Sequence, residues 1–141
     1  MIENTDPFKG KNFLVTGGAG FIGSELTKQL LSNGARVKVI DNLINGKKSN
    51  LKLDHKNLVF IQDDIRNHTI MKSLINESDY LFNLACLGVR HSLHSPIESH
   101  DVNADATLKL LKMSRETNLK KFIHISTSEV YGTAKYVPMT E

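Results

Sequence analysis

The stretch Asn12-Phe13-Leu14-Val15-Thr16-Gly17-Gly18-Ala19-Gly20-Phe21-Ile22-Gly23-Ser24 decides how this chain folds. It opens as a compact apolar run and breaks on glycines. Beyond them Ile22, Leu26, Leu30 and Leu31 recur at offsets 0, 4, 8 and 9, the spacing of one helical face. Gly34 then stops the helix, because glycine accepts the left-handed backbone of a helix end. Strand, glycine turn and helix in that order give the spacing of Gly17, Gly20 and Gly23 its meaning. The first glycine permits a tight turn, the second lets backbone approach a pyrophosphate, and the third lets helix pack on sheet. Free N–H groups at the helix start then favour a diphosphate. A Walker-type P-loop requires Lys after the last glycine, where Ser24 stands.

Outward from this segment, strand-like and helix-like patterns alternate. Arg36 to Ile40, Leu58 to Ile61, Asp79 to Leu84 and Lys121 to Ile125 read as further strands. Ile70, Met71, Leu74 and Ile75 repeat at helical spacing, and Asp101 to Thr117 predicts a longer helix with Ala104, Leu108 and Leu111 on one side. Such alternation implies right-handed crossovers and a parallel sheet. The expected fold class is α/β, a Rossmann-type doubly wound parallel sheet of order 3-2-1-4-5. Its ligand crevice is expected beyond the carboxyl ends of the strands, between strands one and four.

Asp41 ends the second strand, 18 residues after Gly23. A carboxylate there is placed to accept hydrogen bonds from an adenosine ribose diol and to repel a 2′-phosphate, which favours NAD over NADP. Arg36 begins the same strand at the far end and cannot reverse that preference.

Composition sets the frame. A chain of 141 residues predicts one domain, 1–141, able to bury roughly 70% of its unfolded surface. A net charge of +3 with dispersed lysines gives no nucleic-acid patch. The lone Cys86 excludes an intrachain disulfide and suits a reducing compartment. Met1 to Lys11 lacks the pattern of a secretory signal, and no apolar run approaches a membrane span, so a cytoplasmic protein is expected.

Ordered matches along the chain resemble the extended short-chain dehydrogenase/reductases. Thr16 to Ser24 looks like their opening glycine segment, and Asp41-Asn42-Leu43 like the stretch after their second strand. Asp64-Ile65-Arg66 resembles the segment beside the adenine, and Leu84-Ala85-Cys86 the Leu-Ala-Ala beside the nicotinamide ribose. Val102-Asn103 resembles the helix asparagine near the cofactor, and Ser126 to Gly132 the active-site segment after strand five. The likeness covers nearly the whole chain and is strongest to the NAD-dependent nucleotide-sugar epimerases and dehydratases. It implies NAD as cofactor, with Gly17, Gly20, Phe21, Ile22, Gly23, Asp41, Asn42, Asp64, Ile65, Leu84, Ala85, Cys86 and Asn103 as the residues that bind it. It also implies transient C4 oxidation of a nucleotide-activated sugar, in a 4-epimerase, a 4,6-dehydratase or a decarboxylase.

Thr127 matches the family's catalytic Ser/Thr, and Glu129 its acid/base carboxyl, which tilts the reading toward dehydratase or decarboxylase. Tyr131 and Lys135 have the spacing of the family's Tyr-x-x-x-Lys pair, but Gly132, Thr133 and Pro138 make a poor helix on which to share a face. The true pair and the sugar lobe are expected beyond Glu141, so the isolated chain is expected to be inactive and strand five to lack its neighbour. His91, His94 and His100 lack a third ligand at metal-site spacing, so no metal is expected. Arg90 and Ser92 lie where family members approach the sugar-nucleotide, and the 101–117 helix resembles one that pairs subunits, which implies a homodimer. The alternative function is a non-catalytic NAD-binding module or fragment lacking the Tyr-x-x-x-Lys pair. A third is a related reductase or sterol-type dehydrogenase that consumes its cofactor.

Overall fold

The computed structural model describes residues 7–139. Five strands form one parallel sheet of order β3-β2-β1-β4-β5: β1 (Asn12–Thr16), β2 (Arg36–Ile40), β3 (Leu58–Ile61), β4 (Tyr80–Asn83) and β5 (Lys121–His124). The order is the expected one, and the strand limits fall within a residue of the sequence reading.

Helices cover both faces because the strands carry apolar side chains at successive positions. Phe13, Val15, Val37 and Val39 face α1 (Phe21–Ser32), which adds Leu30 and Leu31 to that core. Leu14, Ile40 and Leu81 face the other way, onto α2 (His68–Asn76) and the long helical run that follows β4. Phe13 stacks on Tyr80 of the neighbouring strand with ring centroids 4.9 Å apart. Gly34 has the left-handed φ of +75° expected of a helix stop.

The helical region after β4 differs from the sequence reading. A short α3 (Val89–His94) precedes α4 (Pro96–His100), which runs into a π-helical turn at Asp101–Ala106 and then α5 (Thr107–Arg115). Pro96 starts this run because proline's fixed φ suits a first helical turn. Its buried face is Val102, Ala106, Leu110 and Met113. Ala104, Leu108 and Leu111, the side picked from sequence, face solvent, Leu108 at 66% exposure. Both sides carry apolar residues at helical spacing, so periodicity alone could not tell which one the sheet covers.

At the amino ends of the strands, Asp79 accepts from the Asn12 backbone N–H at 2.9 Å and pairs with Lys120 at 2.9 Å. The Asn12 bond first, and then Lys120, hold its carboxyl below the usual range. This fastening lies at the end of the sheet opposite the expected ligand crevice. No helix among the described residues is long and apolar enough to cross a membrane.

Candidate functional site

A crevice of about 460 Å³ opens at the carboxyl ends of β1 and β4, where the strand order reverses. Gly17, Gly20, Phe21, Ile22, Gly23, Asp41, Asn42, Asp64, Ile65, Leu84, Ala85 and Cys86 all line it. Asn103, Thr127 and Glu129 do not.

The glycine loop is built by close approach. Gly17 has φ +67°, and a Cβ there would sit 2.8 Å from the Ala85 backbone nitrogen. A Cβ on Gly23 would overlap the Gly17 carbonyl oxygen. Any side chain at either place would push the loop out of its path. The helix it feeds has no side-chain cap, so the first-turn N–H groups of Phe21, Ile22 and Gly23 have no partner among the described residues and point past the start of α1. Phe21 and Ile22 leave the core at this point, at 93% and 62% exposure, and their apolar side chains wall the crevice. Ile22 shares the helical spacing of Leu30 and Leu31 but, being in the first turn, overhangs the sheet end where they are buried.

Asp41 is 8% exposed, and both of its oxygens are engaged. Oδ2 accepts from Ala19 N at 3.0 Å and Oδ1 from Leu43 N at 2.8 Å. A carboxylate has about four acceptor positions, so lone pairs remain for a diol. Asp41 therefore clamps the glycine loop to the turn after β2. Leu43 in that turn adopts a left-handed φ of 64°, rare for a leucine, and the Asp41 bond to its N–H secures the bend. A Cβ at Gly46 would come within 2.7 Å of Asp41 Oδ1, so the turn folds directly over the carboxylate.

Asp64 is held by the Arg66 side chain through two bonds of 2.8 Å, and Asn42 donates to it at 2.9 Å. The Arg66 guanidinium lowers its pKa from 3.8 to about 2. Asp63 accepts from Asn67, whose own side chain caps α2 by accepting from Ile70 N. The carboxylates on this side of the crevice thus hold its wall together.

On the β4 side, the Thr16 hydroxyl accepts from Leu84 N and Ala85 N at 3.2 Å each and donates to Asn83 Oδ1 at 2.6 Å. Asn103 grips Leu87 twice, accepting from its N–H and donating to its carbonyl, each at 2.8 Å. That side chain acts on the 84–87 loop, one layer behind the crevice. Cys86 is exposed and lines the crevice.

Thr127 and Glu129 lie beyond β5 in a short turn, where Thr127 Oγ1 accepts from Glu129 N at 3.3 Å. Both are exposed. The turn ends at Tyr131, and Gly132 takes a φ of 69°, so Tyr131 and Lys135 share no helical face. His91 pairs with Glu98 at 2.9 Å, and the Ser92 hydroxyl donates to Val89 within its own turn. Ile44, Asn45, Gly46, Asp63 and Leu87 also line the crevice and escaped the sequence reading, while Val102 and Ser126 line it from segments matched there only for their neighbours. Gly46, in an Asn-Gly turn after the second strand, was the one with a local signal.

The arrangement can seat a diphosphate on backbone amides at one end and a vicinal diol on a carboxylate at the other. Residues 14–141 match the family described as GDP-mannose 4,6 dehydratase. The chain belongs to this family. It is 38% identical over 135 residues to a UDP-glucose 4-epimerase of Klebsiella pneumoniae, covering 91% of this chain and 97% of that one. A UDP-N-acetylglucosamine 4-epimerase from Methanobrevibacter ruminantium M1, in complex with UDP-N-acetylmuramic acid, superposes with a TM-score of 0.87 at 39% identity, over 94% of this chain and 43% of that one. The dTDP-glucose 4,6-dehydratase DesIV from Streptomyces venezuelae, with NAD and TYD bound, superposes with a TM-score of 0.81 at 31% identity, over 89% and 42%. The chain spans 30–42% of the length of several other curated relatives.

Proposed function

We propose that residues 1–141 form the NAD-binding domain of a nucleotide-sugar epimerase/dehydratase that works through transient oxidation of the sugar at C4. The observation that carries this reading is the pairing, across one crevice, of unpartnered first-turn amides on α1 with the Asp41 carboxylate. The fit is steric as well as polar, because Gly17 and Gly23 shape a cradle that a Cβ would fill. In it the amides of Phe21, Ile22 and Gly23 hold the diphosphate, and Asp41 accepts from the adenosine ribose. Asn42, Asp64 and Ile65 flank the adenine. Leu84, Ala85 and Cys86 flank the nicotinamide ribose, with Asn103 holding their loop. When bound, NAD supplies the hydride acceptor and donor. Thr127 and Glu129 meet the sugar, Thr127 by a hydrogen bond and Glu129 as acid or base.

The substrate is a nucleotide-activated sugar, as the names of the relatives suggest. Among the described residues Tyr131 and Lys135 share no helix, so in this reading the chain's own residues bind the cofactor, and turnover needs a Tyr-x-x-x-Lys pair and a sugar lobe besides. The exposure of Thr127 and Glu129 favours that division of labour. A homodimer through the exposed Leu108 and Leu111 face, and a cytoplasmic location, complete the reading.

Equilibrium titration of the chain with NAD and NADP tests the first part. NAD is expected to bind at least tenfold more tightly, and equal or reversed affinities would refute the assignment. Full-length protein incubated with UDP-, dTDP-, GDP- and CDP-sugars under mass detection tests the second. Loss of water identifies a dehydratase, loss of carbon dioxide a decarboxylase, and unchanged mass with a new sugar an epimerase. No product from any of them overturns the catalytic reading.

A further inference from the structure

A second cavity, of about 340 Å³, lies between α1 and the segment that leads into β3. It shares no lining residue with the dinucleotide crevice. Its volume falls in the range of small-molecule sites, roughly 300–1,000 Å³. Thr27 is 1% exposed and lines it, and its hydroxyl has no hydrogen-bond partner among the described residues. A mid-helix threonine commonly returns its hydroxyl to the carbonyl four residues back, and this one does not. A buried hydroxyl without a partner is unfavourable, and a polar ligand atom in the cavity relieves it.

The other lining groups define the ligand. The Lys52 carbonyl accepts from His55 N at 3.0 Å, and its ammonium has no ion pair among the described residues. His55 accepts from Asn57 N on Nδ1 at 3.2 Å, which puts the ring proton of the neutral form on Nε2 as a donor. Lys28 is taken up by Glu25. Leu31 and Leu51 give the cavity an apolar wall, and no carboxylate lines it. Donors, one free cation and an apolar wall call for an anion with an apolar body.

We propose that this cavity binds a small organic carboxylate, its charge beside Lys52 and His55, its apolar body against Leu31 and Leu51, and an oxygen at the Thr27 hydroxyl. The test uses benzoate as probe and its neutral isostere benzamide as control, on the 15N-labelled chain without any dinucleotide. It is therefore independent of the NAD reading. Saturable benzoate-induced shifts are expected at Thr27, Leu31, Leu51 and His55, with no comparable effect of benzamide. Lys52→Met should weaken benzoate about tenfold. The near-isosteric Thr27→Val, which keeps the packing, should weaken it at least threefold. No saturable shift, equal shifts with benzamide, shifts confined to Gly17–Gly23, or an unchanged affinity in either variant would overturn the proposal.

Discussion

The Thr16 hydroxyl and the Asn83 side chain, 67 residues apart, are joined by a hydrogen bond of 2.6 Å in the buried centre of the sheet's carboxyl edge. Asn83 continues to Thr107 on α5 and to His124 on β5, each at 3.2 Å. One polar chain therefore ties β1, β4, β5 and the helix behind them, directly beneath the crevice. Thr16 is fully buried, so its bonds are made without competition from water. Thr16→Val should lower the unfolding free energy by about 2 kcal/mol, because the Asn83 oxygen and the Ala85 N–H lose their hydroxyl partner, while Leu84 N keeps the Thr16 carbonyl. Thr16→Ser should recover most of that. Urea denaturation measures both, and a Val variant within 0.5 kcal/mol of wild type would deny the network its role.

Gly17→Ala is expected to be costly twice over. The backbone is left-handed there, and the new methyl meets Ala85 N. A loss of at least about 2 kcal/mol is expected from strain and displacement together. Gly23→Ala should instead spoil the approach of α1 to the loop, and dinucleotide affinity should fall at least tenfold. Calorimetric titration with NAD separates the two effects; normal binding by folded Gly23→Ala counts against the cradle.

Asp41→Ala should weaken NAD far more than NADP, since it removes an acceptor for the ribose diol together with the charge that repels a 2′-phosphate. It also releases Ala19 N and Leu43 N, so the melting temperature should fall too. Parallel titrations with both cofactors decide the point, and an equal loss for the two would leave Asp41 with only a loop-holding role.

Asp64 gives stability a defined acid dependence. Its folded pKa of about 2 lies below the ordinary 3.8, so the folded state holds its proton less tightly than the unfolded state. That contribution is complete above pH 4 or so and is lost as the pH falls toward 2. Discounted for partial solvent exposure, it amounts to about 1 kcal/mol. Wild type should exceed Asp64→Asn in stability by about that much at pH 6, and the gap should close by pH 2. A gap that stays constant across the range would mean that the Arg66 pair contributes nothing through charge.

Asn103→Ala should loosen one loop without unfolding the domain. Asn103 is exposed, so the global loss should stay near 1 kcal/mol, while Leu87 loses both of its backbone partners from that side chain. Amide hydrogen exchange of residues 84–88 should quicken at least fivefold against unchanged rates in β1 and β2. Unchanged exchange in that loop would show it is held by other contacts.

Sequence by itself settled what depends on neighbours along the chain. Apolar runs, helical spacing and the glycines at 17, 20 and 23 determined the element types, their order and the end of the sheet where the crevice opens. Tertiary structure decided what depends on partners far along the chain. Apolar residues at helical spacing occur on both sides of α5, and only the packed sheet selects Leu110 and Met113 over Leu108 and Leu111. The joining of Thr16 to Asn83 follows from the pairing of β1 with β4, which no local pattern encodes. Thr127 and Glu129 carry a clear local signature, yet they stand outside the crevice, because a short motif specifies residue types while the packing of the elements around it fixes where they stand.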